Sequence, residues 1–277
     1  MFNNPVLHKE FLSLLRLRQM PPAPRYGIMT AIVLLLGFLY WIIIVRWLLN
    51  EPSPEASKIA WQIIVWGQFL LICLIAPIVA ANTITKEKEQ QTWESLIFTS
   101  LAPGEIIFGK LMARLSIIVG ILLLFLPVEL FCILHNIAVA SDPNSTARLT
   151  MTEIGLSWLT RILCTLFFAT LGLFLSWLLQ RTLYAIMASY TLVVGIMTIA
   201  TALFMLMLQQ IFTDSDFWIK CPLMWVNPVS LMVVATNPTS AVSGVLFLLY
   251  GLIVYAVVTL AMLWRMVYGF RRFAFQK

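Results

Sequence analysis

Charged residues are scarce in this chain, and their scarcity excludes an ordinary water-soluble domain. Only 11% of its 277 residues are Asp, Glu, Lys or Arg, whereas 61% are hydrophobic. A soluble domain carries about 25% charged residues. The mean hydropathy of +0.94 is typical of a chain whose main solvent is lipid. The longest polar stretches, around 82–105 and 213–240, are too short to enclose a core of their own. We therefore expect one membrane domain over 1–277.

Patterns that indicate metal binding or catalysis are also missing from the sequence. The chain has 4 cysteines and 2 histidines, with no CxxC or Cys/His spacing that would indicate a metal site. No apolar segment carries HExxH, paired acidic residues or a Ser/His grouping. The sequence therefore predicts no catalytic residues, no metal and no cofactor in this chain.

One segment matches part of a nucleotide-binding motif. Gly104 to Lys110 fits the first seven positions of the P-loop pattern GxxxxGK[ST]. The eighth position needs a Ser or Thr hydroxyl to hold magnesium, and Leu111 cannot supply one. A polar segment and Pro103 precede the match where a buried strand is required. We conclude that this chain does not bind nucleotide there.

Long apolar runs predict an all-α integral membrane protein with six transmembrane helices. A helix needs about 20 apolar residues to cross a hydrocarbon core of roughly 30 Å. The predicted spans are 28–49, 60–81, 106–134, 154–179, 183–211 and 241–267. Because only 180–182 separate the fourth and fifth spans, we expect these two to form an antiparallel hairpin.

The basic residues predict the orientation of these spans. With the N-terminus inside, most of the 18 Lys and Arg residues lie on the cytoplasmic side, as the positive-inside bias requires. Both termini are then cytoplasmic, and the protein is expected in the inner or plasma membrane. The same bias explains the net charge of +6. No basic patch with interleaved aromatics indicates a nucleic-acid partner.

Two further segments are predicted to lie at the membrane surfaces. Residues 5–20 form an amphipathic pattern, with Leu7, Phe11 and Leu14 on one face, which favours a helix in the inner interface. The outer segment 213–240 contains apolar pieces too short to cross, so we expect interfacial or re-entrant helices there.

The loop between the second and third spans predicts a short cytoplasmic helix over 86–98. It opens with the charge cluster Lys86 to Glu89 and continues with helix-favouring residues. Trp93, Leu96 and Ile97 form an apolar patch at helical spacing, whereas Glu87 and Glu94 lie on other faces. Such a helix suits contact with a soluble partner, although it would also suit simple contact with the lipid surface.

Two stretches of the sequence resemble the permease subunits of ABC-2 type transporters. The first is Asn4 to Glu10, NPVLHKE, which is similar to the family's opening NPxxx(K/R)E. The second is similar to the family pattern ExExGTxExLLxTPLxxxEIxxGK, and its matching residues are Glu87, Glu89, Thr92, Glu94, Leu96, Thr99, Leu101, Glu105, Ile106, Gly109 and Lys110. Gln91 stands where the family usually has Gly, and Ser100 where it has Pro.

The resemblance implies a partner, a pathway and an elbow helix at 5–20. ABC-2 permeases pair as dimers of identical or paralogous chains, and each docks a separate P-loop ATPase that binds Mg-ATP. By this likeness 86–98 would be the coupling helix of an exporter. Its ATPase-contacting residues would be Glu87, Glu89, Thr92, Trp93, Glu94, Leu96 and Ile97. The expected partners are the ATPase, a second permease chain and membrane lipid.

Glu129 and Arg161 are charged residues inside predicted spans. Both lie toward the outer side, so Arg161 is a suitable partner for Glu129. A charge at mid-bilayer costs about 2.5–3.5 kcal/mol on insertion scales, which favours pairing. The pair is interpreted either as a structural ion pair or as part of a transport pathway or cation site.

Two other function classes remain open on the sequence. A secondary carrier or channel would also be all-helical, although such carriers often carry internal repeats and broken helices that are not visible here. A non-transporting membrane scaffold driven by an ATPase would share every feature described above, and only a transport assay separates it from an exporter.

Overall fold

The residues that the structure describes are almost all helical. A computed structural model describes residues 37, 41–42, 44, 46–50, 53–92, 102–140, 147–208, 227–236 and 242–275. These contain α1 (Pro54–Glu89), α2 (Pro103–Val139), α3 (Met151–Leu178), α4 (Thr182–Leu208), α5 (Pro228–Thr236) and α6 (Val242–Phe275). Residues 46–50, before α1, are also helical, and no strand occurs in the ranges just given. The predicted all-α class is confirmed.

Four of these helices are long and apolar enough to cross a membrane. They are α1, α2, α3 and the part of α6 from Leu248 to Gly269. In α4 the apolar portion Thr182–Met197 is shorter. The chain thus has the composition of a multi-pass membrane protein. The predicted surface helix 5–20 lies outside the described residues, as do most of the predicted span 28–49, residues 93–98 and most of 213–240.

α1 extends well beyond the span predicted at 60–81. Its 36 residues reach about 54 Å at ~1.5 Å per residue, whereas a hydrocarbon core measures roughly 30 Å. Lys86 to Glu89, predicted to begin a separate helix, form the last turn of α1. No Gly or Pro interrupts 82–89, and Lys and Glu favour helix. The helix therefore continues past the apolar run.

The start of α2 has a local explanation as well. Pro103 occupies the first turn, where its missing N–H costs no hydrogen bond. The carboxylate of Glu105 accepts a hydrogen bond from the Ala102 backbone N–H at 3.2 Å. These two residues begin the helix at Pro103, slightly before the predicted boundary at 106.

α1 and α3 form the centre of the bundle. α1 packs against α2, α3 and α4, while α3 also contacts α5 and α6. At Gly172 the backbones of α1 and α3 come very close, because a Cβ there would lie 2.8 Å from the Pro77 carbonyl oxygen and 3.0 Å from the Ala80 Cβ. Small residues allow such close approach between membrane helices. This contact sets the register of α1 against α3, which positions the polar residues described next.

Candidate functional site

The end of α1 is a hydrogen-bonded turn with one residue in the left-handed region. Gln91 has φ 57°, the only positive φ of a non-glycine residue in the described part of the chain. The Gln91 N–H donates to the Lys88 carbonyl at 3.1 Å, and the Thr92 N–H donates to the Glu87 carbonyl at 3.0 Å. This pair of bonds defines a Schellman motif, whose left-handed position is usually glycine. The predicted site residue Thr92 is therefore part of a fixed turn.

Glu87 joins the end of α1 to α2. Its Oε1 accepts from the Lys110 Nζ at 2.5 Å, and Lys110 is only 1% exposed. One turn earlier the Thr83 hydroxyl accepts from the Arg114 Nε at 3.0 Å. Lys and Arg near a helix end can extend their charged groups toward an interface, but Lys110 is instead directed to a carboxylate inside the protein. Glu87, predicted to contact an ATPase, is thus engaged within the chain.

Lys88 and Glu89 join the same turn of α1 to the connection between α3 and α4. The Lys88 Nζ donates to the carbonyls of Ser176, Trp177 and Leu179, the first and last at 3.3 and 3.0 Å. The Glu89 Oε1 accepts from the Thr182 backbone N–H at 2.7 Å. The cation thus lies at the C-terminus of α3 and the carboxylate at the N-terminus of α4. Both positions are favourable, because the C-terminus of a helix carries partial negative charge and the N-terminus partial positive charge.

Ser176 strengthens this contact from the side of α3. Its hydroxyl oxygen accepts from the backbone N–H groups of Ile84 and Thr85, both at 2.9 Å, at a fully buried position. The Thr85 hydroxyl in turn donates to the Ala81 carbonyl at 2.9 Å. Ser176 therefore bonds directly to the backbone of α1, and it lies one helical turn after Gly172 on the same face.

A buried cluster at mid-bundle unites three helices around Arg161. The Arg161 Nη2 lies 2.7 Å from the Glu129 Oε1, and the Nη1 lies 3.1 Å from the Oε2. The Nη1 also donates to the Gln68 Oε1. The Arg161 and Glu129 side chains are 0% and 1% exposed. The two residues predicted to pair thus form a bidentate contact, which is a strong form of ion pair.

The remaining groups of Arg161 are satisfied as well. Its Nε donates to the Ser157 carbonyl at 3.2 Å, one turn earlier on α3. The guanidinium carbon lies 4.3 Å from the centre of the Trp158 ring, within cation–π range. A buried charge with this many partners is held in one place. The geometry therefore suits a structural ion pair.

A small cleft between α1 and α2 lies beside Gln68. Its walls are apolar and consist of Leu71, Ile72, Ile75, Ile118, Ile121, Leu122 and Phe125. Its volume of about 10 Å³ holds roughly one water molecule. The Gln68 Nε2 is buried and has no hydrogen-bond partner among the described residues. The cleft is too small for a solute, and Gln68 is the one polar side chain among the residues that line it.

A third polar group, at the opposite end of the bundle, joins the start of α1 to α2 and α3. The Lys58 Nζ lies 2.9 Å from the Glu153 Oε1. The Asn136 Nδ2 donates to the Pro54 carbonyl at 2.8 Å, and the Ser57 hydroxyl lies 2.8 Å from the His135 Nδ1. The sequence prediction did not identify this group. The one signal for it was the polar pair His135 and Asn136 at the end of an apolar run.

Trp93, Glu94, Leu96 and Ile97 lie outside the described residues. Among those that are described, no three His, Cys, Asp or Glu residues group as a metal site would require. Cys73, Cys132 and Cys164 are buried free thiols.

Comparison with known proteins gives no family for this chain. No model of a known protein family matches it, and no curated protein matches it significantly.

Proposed function

We propose that this chain is the permease subunit of an ABC-2 type exporter, which forms the membrane pathway and docks a separate P-loop ATPase. In this proposal the chain crosses the membrane six times, with 5–20 as its elbow helix and both termini in the cytoplasm. It works as a dimer with a second copy or a paralogue in the inner or plasma membrane.

The observation that carries the proposal is the backbone conformation at Gln91. The family pattern has glycine at this position, and glycine is the residue that adopts positive φ without strain. Gln91 adopts φ 57° although it has a side chain. A turn that favours glycine therefore lies at the position where the family pattern has glycine. This supports aligning residues 87–110 with the family pattern.

The ends of the helices supply a second argument. α1 is long enough to leave the hydrocarbon core, and its charged last turn is followed, after the turn at 90–92, by the segment that begins at Trp93. Glu87 and Glu89 have partners within the chain. In the proposed complex they hold the base of the coupling segment, and Trp93 is the main contact with the ATPase. Aromatic side chains dominate such contacts.

Purification of the tagged chain from its native membrane in mild detergent tests the proposal. We expect a P-loop ATPase to co-elute in stoichiometric amount and to hydrolyse ATP in a vanadate-sensitive manner. A chain that elutes alone from every mild detergent would contradict the proposal and favour a carrier, a channel or a scaffold.

The Trp93→Ala variant tests the coupling contact. We expect recovery of the ATPase to fall by about tenfold or more, as for removal of an interface anchor worth about 2 kcal/mol. Trp264→Ala is the matched control, because Trp264 is 68% exposed on a predicted span and far along the chain. Equal ATPase recovery and equal hydrolysis with Trp93→Ala and Trp264→Ala would exclude Trp93 as the anchor.

A further inference from the structure

Two consecutive residues of opposite charge cap two helices of opposite direction. Lys88 donates to carbonyls at the C-terminus of α3, and Glu89 accepts from the first N–H of α4. Only 179–181 separate these helix ends. One turn of α1 therefore binds the end of α3 and the start of α4, where the two helices meet at the turn of the hairpin. Because each charge complements the helix dipole that it faces, exchanging the two charges would make both contacts unfavourable.

The same turn of α1 is hydrogen-bonded to the residues that follow it, as far as Thr92. The Thr92 N–H bonds to the Glu87 carbonyl, and the Thr92 hydroxyl also donates to that carbonyl at 3.3 Å. On the other side, Ser176 bonds to the backbone of Ile84 and Thr85. A displacement of the chain at Thr92 is therefore passed to Lys88 and Glu89 through a closed turn, with no flexible linker between them.

We propose that Lys88 and Glu89 are positioning residues that transmit movement of the segment after α1 to the α3–α4 hairpin. The source of that movement, an ATPase bound beyond Thr92, rests on the proposed function. The link itself does not, because it is made entirely of contacts within this chain. α3 also carries Arg161, so the hairpin shares a helix with the buried cluster at mid-bundle.

Hydrogen–deuterium exchange of the purified chain tests the link without nucleotide or partner. In Glu89→Ala we expect the Thr182 amide to exchange at least about fivefold faster, since its bond to a charged acceptor is lost. Glu89→Gln keeps an acceptor oxygen and is expected to restore most of the protection. Lys88→Met is expected to speed exchange of the Leu179 amide about threefold as the last turn of α3 frays, whereas Lys88→Arg is not. Lys86→Met, on an exposed part of the same turn, is the control.

Exchange in the complex with the co-purified ATPase tests transmission. We expect ATP with vanadate to change exchange over 176–185 in the wild type. In the double variant Lys88→Met/Glu89→Ala this response, compared at equal amounts of bound ATPase, should fall at least about threefold, in line with the loss of charged hydrogen bonds. The conservative double variant Lys88→Arg/Glu89→Gln should recover the response. If Lys88 and Glu89 only stabilised the fold, the double variant would lower the nucleotide response and the ATPase recovery in parallel.

The outcomes for the two proposals are distinguishable. An unchanged Thr182 amide in Glu89→Ala, or a full nucleotide response in Lys88→Met/Glu89→Ala, overturns this inference and leaves the proposed function standing. Absence of any ATPase overturns the proposed function, and the exchange of the isolated chain then decides whether Lys88 and Glu89 position the hairpin.

Discussion

At the scale of single residues, Arg161 combines complete burial with a full set of partners. Glu129, Gln68 and Ser157 accept its hydrogen bonds, and Trp158 covers one face of the guanidinium. Removing one partner of such a buried pair costs more than removing both, because the remaining charge has no compensation. Substitutions at this pair can therefore distinguish a structural ion pair from a residue of a transport pathway.

Glu129→Leu is expected to lower the free energy of unfolding by about 3–5 kcal/mol, since it leaves the Arg161 cation buried without its carboxylate. The double variant Glu129→Leu/Arg161→Leu should lose clearly less than the sum of the two single variants. Unfolding in mixed detergent micelles, followed by circular dichroism, measures both values. Additive losses would show that the two side chains do not act as a pair.

Glu129→Gln separates the two roles considered for this residue. As a structural pair, we expect poor expression and a lower midpoint of unfolding, because the bidentate charge contact is weakened. Intact folding with lost transport would instead assign Glu129 to the pathway. The measurement is the yield and thermal midpoint of the purified chain beside a transport assay.

Gln91→Gly is expected to raise the free energy of unfolding by about 1 kcal/mol. Glycine relieves the cost of the left-handed conformation, which a side chain at φ 57° must bear. Gln90→Gly is the matched control, because Gln90 has φ −84° and should lose stability through greater freedom in the unfolded chain. If Gln91→Gly and Gln90→Gly lower the free energy of unfolding equally, the Schellman turn does not form in solution.

At the scale of helices, the close approach of α1 and α3 determines which polar groups meet. Gly172 packs against Pro77 to Ala81, and Ser176 follows one turn later against Ile84 and Thr85. Hydropathy predicts both helices, but the contact depends on two small residues at helical spacing. A larger side chain at Gly172 would separate the helices and weaken the bonds to Ser176.

Gly172→Ala is expected to lower the free energy of unfolding by about 1–3 kcal/mol through overpacking. Its Cβ would meet the Pro77 carbonyl oxygen, a backbone atom that cannot rotate away. Gly155→Ala, on the same helix, meets nothing within 4 Å and should gain up to about 1 kcal/mol from helix propensity. Equal effects at the two positions would contradict the close α1–α3 contact.

At the scale of the whole molecule, charge pairs among the described residues join the helices at three levels. Lys58–Glu153 lies at one end, Arg161–Glu129 in the middle and Lys110–Glu87 at the other end. Each pair joins two of the helices α1, α2 and α3. The two end groups must lie on opposite sides of a membrane if these helices cross it, because each helix contributes to both.

Cysteine labelling in intact cells checks this sidedness. With Cys221→Ser as background, Gln180→Cys should react only with a membrane-permeant maleimide, because the positive-inside bias places this turn in the cytoplasm. Met151→Cys, which is 73% exposed at the opposite end of α3, should react with an impermeant reagent. Reaction of both positions from the same side would exclude α3 as a span.

The sequence by itself determined the class of protein, since hydropathy and helix propensity are local properties that act along one segment at a time. It also indicated Arg161 as the partner of Glu129, because depth in a span can be counted from its ends. It placed the end of α1 too early, since hydropathy marks where a helix leaves lipid and not where the helix stops.

Only the tertiary structure decided the roles of Lys88, Glu89 and Ser176. Their partners lie about 90 residues away along the chain and are mostly backbone groups, which every residue type carries. Such partners leave no pattern in the sequence. They become specific only when Gly172 brings α1 and α3 together and sets which turn of α1 faces the end of α3.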